Sequence, residues 1–203
     1  RYEVKSWATT YTSNVRFSFP DGARSVPTQT VSLSYGLLHH KTVSQGRWFT
    51  AQDEDDLSPS MVVTQGFLDA LGIQQLTEPV TVTSYTPVRT TFTIVGVLKP
   101  DRSTDYCTTT DTNGETIPCP QPLSAFVLKD AYEQQLPEEA ERPTPTLEIW
   151  AGKDQTKEVK DLAKKNLDAQ FGKGSTQVSD NLGNNSNLSA DGFTSVVTAA
   201  GVL

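Results

Sequence analysis

The chain has 203 residues, of which 17 are Lys or Arg and 24 Asp or Glu, giving a formal charge of −7 with 35% hydrophobic residues. That acidic balance lacks the basic footprint that phosphate neutralisation needs, which argues against nucleic acid and against an anionic membrane surface. About 70% of the unfolded surface can be buried at this size, so one large or two small strand-rich globular domains are expected rather than a disordered chain.

Alternation in Val15-Arg16-Phe17-Ser18-Phe19 predicts a strand with one packed face, closed by a turn at Pro20-Asp21-Gly22. Gln29 to Tyr35 alternates again, predicting a strand with Val31, Leu33 and Tyr35 on one face. Met61-Val62-Val63 is a short buried run. Gln65 to Leu71 then carries Phe67, Leu68 and Leu71 at helical spacing, and Gly72 is a stop signal. Pro79 to Tyr85 and Thr90 to Leu98 read as two strands, with the connection at Pro87 short enough for a hairpin. Asp101 to Pro122 has no periodicity and is expected as a long surface loop.

The last third alternates strands with helices. Ala125 to Leu128 reads as a strand, Asp130 as the cap of a helix from Ala131 that stops before Pro137, and Pro145 to Ala151 as another strand. Val159, Leu162, Ala163, Leu167 and Phe171 form one stripe of a helix over Lys157 to Phe171 that Gly172 ends. Thr176 to Ser179 is a closing strand, Asp180 to Asp191 a linker, and the small apolar tail from Phe193 an approach to a membrane helix of a longer protein. The chain opens at Arg1 and is expected to be excised or processed. No run of about 18 apolar residues is present to span a bilayer, and no signal peptide is expected. A β-rich middle between α/β flanks predicts two lobes, one inserted into the other.

Cys107 and Cys119 lie close together in a polar stretch, which fits a disulfide in an oxidising compartment. Two unrelated thiols in a cytosolic loop are the alternative. His39-His40 is the one histidine pair, and adjacent residues on a strand point to opposite faces, so a shared metal is disfavoured against a solvated turn. Asp53-Glu54-Asp55-Asp56 invites calcium but lacks the glycine and distal glutamate of an EF-hand loop; a charged turn or helix start is the simpler reading. No phosphate loop, nucleophile elbow or nucleophile–base pair stands out. No enzyme, cofactor or metal site is therefore expected.

Gly46-Arg47-Trp48-Phe49-Thr50-Ala51-Gln52-Asp53 resembles the Gly-Arg-x-Phe-Thr-x-x-Asp signature of the MacB-like periplasmic core domain. In that family a short strand, a helix and a strand ending Phe-x-Val-x-Gly-Val follow. Here Met61 to Val63, Gln65 to Leu71 and Phe92-Thr93-Ile94-Val95-Gly96-Val97 stand in that order. The resemblance covers about Val31 to Ser179 and marks Gly46, Arg47, Trp48, Phe49, Asp53, Phe92, Val95, Gly96 and Val97 as a structural signature. Physically, Gly46 allows a tight turn, Arg47 can fork onto carboxylates or carbonyls or form only a surface pair worth little, and Trp48 and Phe49 can anchor opposite faces.

The resemblance implies an α+β, two-lobed extracytoplasmic domain of a MacB/FtsX-type, or type VII, ABC transporter permease. An α/β Porter-like lobe would take residues 1–34 and 124–179, an inserted β-rich Sabre-like lobe residues 35–123, and a linker residues 180–203. The domain would couple cytoplasmic ATP hydrolysis to work outside the membrane: efflux of a peptide or drug, lipoprotein release, or signalling to a partner. Implied partners are its own transmembrane helices, the ATPase subunit, a second permease copy and an extracytoplasmic protein or peptide. The isolated domain is expected to be monomeric. A secreted or surface-anchored adhesin or substrate-binding module is the alternative.

Overall fold

The structure, a computed structural model, describes residues 6–99, 108–110, 114–118, 122–140, 143–150, 156–174, 176–179 and 196–198. The chain divides into two compact units, each built from separated segments. One comprises Arg1–Tyr11, Val31–His40 and Glu141–Leu203; the other comprises Thr12–Thr30 and Lys41–Ala140.

In the larger unit the period-two pattern of β1 (Ser6–Phe19) buries Val15, Phe17 and Phe19 and leaves Arg16 exposed. A two-residue turn leads to β2 (Gly22–Val31), where Gly22 sits at φ +126°. From there β2 pairs with β9 (Ala125–Leu128), β9 with β4 (Ser60–Val63), and β4 with β6 (Thr91–Leu98). Strand β5 (Val80–Thr86) pairs with both β6 and β1, closing a ring of six strands. The β4–β6 pair is parallel, with Met61 opposite Ile94; β4–β9 and β5–β6 are antiparallel. Strand β3 (Val43–Gly46) adds to β6 beyond the stretch that β5 occupies.

The core of this unit is aromatic at its centre. Phe17 meets Phe67 and Phe92 edge-on, each at 5.4 Å between centroids, and Phe67 belongs to the helix α2 (Gln65–Ala70). Gly72, at φ +76°, ends that helical segment as expected. Tyr132, on α3 (Lys129–Glu133), packs its ring 5.7 Å from Phe92. Its buried hydroxyl makes no hydrogen bond among the described residues, and burial pushes the phenol up to about 12. A buried hydroxyl without a partner forfeits its hydration. Tyr132→Phe is therefore expected to keep or raise the thermal unfolding midpoint, by the equivalent of up to about 1 kcal/mol. A drop of several degrees would reveal a partner for that oxygen.

In the smaller unit Ser6–Thr10 of β1 pairs antiparallel with β10 (Thr146–Trp150). Helix α4 (Thr156–Phe171) leads from β10 to β11 (Gln177–Ser179), and β12 (Val196–Thr198) pairs antiparallel with both strands. Hence β10 and β11 run parallel with β12 between them, a split βαβ arrangement. Gly172 at φ +93° ends α4, whose stripe is buried at Val159 while Leu162 and Phe171 stay exposed.

Several expectations are corrected. The strand drawn to Tyr35 ends at Val31, and Tyr35–Leu38 is a short helix, α1, because Ser32 and Ser34 hydrogen-bond back to β1 rather than extend it. The 101–122 loop contains a small hairpin, β7 (Thr108–Thr110) with β8 (Thr116–Pro118), where Gly114 at φ +85° supplies the left-handed turn residue. Leu128, not Asp130, caps α3, and Asp130 lies in its first turn. Residues 12–30 and 124–140 belong with the middle of the chain, since Phe17 and Phe19 pack on Phe67 and β9 pairs with β4. Within the expected linker and tail, Val196–Thr198 form a strand, as two successive valines and a threonine favour. Cys107 and Cys119 lie outside the described residues.

Candidate functional site

The glycine–arginine signature becomes a clasp at the end of β3. Gly46 lies opposite Gly96 of β6, and its φ of +69° turns the chain across that strand. A Cβ on Gly46 would stand 2.2 Å from the Val95 carbonyl oxygen, and one on Gly96 2.2 Å from that of Arg47. Backbone therefore lies directly on backbone, sealed by the Arg47 N–H donating to the Val95 carbonyl at 3.0 Å. The glycines at the two ends of the signature are one contact.

Past that crossing, the Arg47 guanidinium forks onto Asp53, with Nη1 donating to Oδ2 at 2.6 Å and Nη2 to Oδ1 at 2.7 Å. Asp53 opens no metal site. It lies in the 3-10 turn Ala51–Glu54 with its side chain 1% exposed. Three more hydrogen bonds reach its carboxylate: from the Thr50 N–H at 2.6 Å, the Thr50 hydroxyl at 2.8 Å and the Ser60 hydroxyl at 2.7 Å. Ser60 begins β4, so the turn is tied to the ring. Burial pushes the Asp53 carboxyl up, but the bonds from Arg47, Ser60 and Thr50 outweigh it and hold it well below the usual carboxylate range. The hydrogen bond to Asp53 in turn raises Arg47 above its ordinary value. With five donors on one carboxylate, Asp53 has no lone pair to spare for a proton or a metal.

Trp48 and Phe49 do not anchor opposite faces. Their rings lie against each other at 5.0 Å, and Trp48 reaches Phe126 of β9 at 5.7 Å. Phe92 and Val97 are fully buried in the core, while Val95 contributes its carbonyl. Of the nine signature residues, Gly46, Arg47, Val95 and Gly96 meet at the crossing with Asp53 on the arginine, whereas Phe92 lies at the aromatic centre of the core. Sequence reasoning missed the donors Thr50 and Ser60. Thr50-x-x-Asp53 has the spacing of a capping box, which could have revealed the first; Ser60 carries no such signal.

His39 is no solvated turn residue. Its ring stacks on Tyr35 at 4.1 Å and its Nε2 is hydrogen-bonded to the Glu148 carboxylate of β10. Among the described residues no group of three His, Cys, Asp or Glu is placed to hold a metal, and no helix is long and apolar enough to cross a membrane.

The fold is that of extracytoplasmic domains of ABC transporters. It superposes on the extracellular domain of the noncanonic ABC-type transporter YknZ from Gram-positive bacteria with a TM-score of 0.60 at 13% identity, covering 84% of this chain and 78% of that one. The periplasmic region of MacB from Actinobacillus actinomycetemcomitans gives 0.60 at 15% identity, covering 85% and 70%. A domain of a putative permease protein from Porphyromonas gingivalis gives 0.52 at 10%, covering 82% and 64%. A search of curated protein sequences found no match. Residues 2–163 match the MacB-like periplasmic core domain, and the chain belongs to that family. It is a MacB-like periplasmic domain of the kind carried by type VII ABC transporter permeases.

Proposed function

We propose that the chain transmits nucleotide-driven motion of a type VII permease to work done outside the membrane, without catalysing a reaction itself. The observation that carries this is the clasp. The Asp53 carboxylate, which accepts five hydrogen bonds, is spent on holding the Gly46–Arg47 crossing against the ring rather than on chemistry. A part that passes on motion needs such internally satisfied joints. The larger unit corresponds to the Sabre-like lobe in this reading, and the split βαβ unit to the Porter-like one. ATP would be hydrolysed by a cytoplasmic partner subunit, and the cargo or signalled partner would be met outside.

The test uses the parent permease with its ATPase, reconstituted in vesicles. Removing the whole larger unit, residues 12–30 together with 41–140, is expected to abolish export or partner activation while ATP hydrolysis persists. Undiminished export by that deletion variant would overturn the proposal.

A further inference from the structure

One cleft of the larger unit lies away from the clasp and has no part in it. It measures about 440 Å³ and is lined by Arg16, Ser18, Gly22, Ala23, Tyr85 and Thr86. Arg16 and Ser18 point outward from β1, because the alternate positions Val15, Phe17 and Phe19 fill the core. Across from them the β1–β5 pairing slips: Arg16 faces Thr86 but Phe17 faces Ser84, which leaves Tyr85 as the extra residue of a β-bulge. Ser84 is buried, whereas Tyr85 is 47% exposed and lines the cleft. Bulges re-aim side chains, and this one aims an aromatic ring beside an arginine.

The arginine is the second observation. Arg24 next to the cleft is engaged, pairing with Asp21 and lying 5.5 Å over the Phe19 ring. Arg47 is held by Asp53. Arg16 pairs with no carboxylate among the described residues, in a chain with an excess of seven acidic groups. An unengaged guanidinium, a hydroxyl and a half-exposed ring in one concavity form a recognition set. The fork suits a planar carboxylate, the Ser18 hydroxyl can donate to the same group, and the ring supplies a stacking face. A phosphate dianion would call for more than one lining cation, and the cleft has one.

We infer that this cleft binds a carboxylate flanked by an aromatic or apolar group, as in a C-terminal amino acid or a small aromatic acid. The inference stands apart from the transport reading, since it concerns binding by the chain alone.

The experiment titrates the isotopically labelled chain with N-acetyl-phenylalanine, its amide, a pentapeptide ending in phenylalanine, and inorganic phosphate, following backbone amide resonances. Saturable shifts at Arg16, Ser18, Ala23 and Tyr85 are expected with the free acid in the millimolar range. The amide, and the free acid with Arg16→Gln, should bind about tenfold more weakly, the usual scale of a lost charged hydrogen bond. Arg16 is exposed, so the variant should keep the wild-type unfolding midpoint. Ser18→Ala, with a smaller loss, provides a second variant. Tighter binding of the pentapeptide assigns the cleft to chain termini and equal binding assigns it to small acids; both support the inference. No saturation, equal binding of acid and amide, indifference to Arg16→Gln, or stronger phosphate binding at the same residues would overturn it.

Discussion

Gly96→Ala is expected to lower the stability of the larger unit by about 3–5 kcal/mol, at the upper end of what overpacking and strain produce. The new methyl would lie 2.2 Å from the Arg47 carbonyl oxygen, well inside any tolerated contact. That oxygen belongs to backbone, so no side-chain rotamer can relieve the clash. Nor can the Arg47 segment withdraw freely, because its N–H is bonded to Val95 and its guanidinium to Asp53. Gly22→Ala makes a useful comparison: its Cβ would meet open space, so only the backbone strain at φ +126° remains, about 1–3 kcal/mol. Urea unfolding midpoints decide the matter. If Gly96→Ala costs no more than Gly22→Ala, the two strands do not cross as tightly as described.

Removing the carboxylate at the centre of the clasp should have a comparable effect. Asp53→Ala strands the Ser60 hydroxyl and the Thr50 N–H and frees Arg47, with an expected loss of about 3–5 kcal/mol at neutral pH. The pH dependence gives an independent readout. Because the folded Asp53 is held below its unfolded value of about 4, it binds its proton more readily in the unfolded chain. Its contribution is therefore complete above that unfolded value and is lost as pH falls through the lower folded one. Asp53→Asn should be less stable than wild type at pH ~7, with the gap narrowing steadily below pH ~4. Stability curves that stay parallel down to strong acid would show that the carboxylate is not held as the geometry requires.

How much of this was legible in the sequence depended on how local the cause was. The alternation of Val15, Phe17 and Phe19, the run Met61 to Val63 and the stop at Gly72 are decided by neighbours in the chain, and the structure keeps them. The signature arginine could be read as a fork from its own chemistry, but its partner Asp53, six residues on, is fixed only by the turn that brings the two together. What escaped was non-local. The closure of the ring joins Arg16 and Phe17 to β5 some seventy residues on, and no pattern within either segment announces the pairing. His39 and Glu148 are 109 residues apart, so the pair of histidines looked like a wet turn. The Tyr35 stretch failed for another reason: two serines competed for the backbone and bent an alternating sequence into a helical turn. At Tyr85 the bulge was invisible because alternation continues through it in sequence and breaks only against the partner strand.

Closing six strands into a ring also decides how another chain can meet the larger unit. Open sheets invite strand addition, in which a partner binds through main-chain hydrogen bonds and sequence matters little. Among the described residues the closed ring satisfies those groups within itself, and what stands outside it is short: β3, four residues long and turned away at Gly46, and the three-residue strands of the β7–β8 hairpin. Recognition on this unit is thereby handed to side chains and to the turns between strands. Such a surface discriminates among partners and resists edge-to-edge aggregation, and its specificity can be altered one residue at a time while the barrel beneath is left intact.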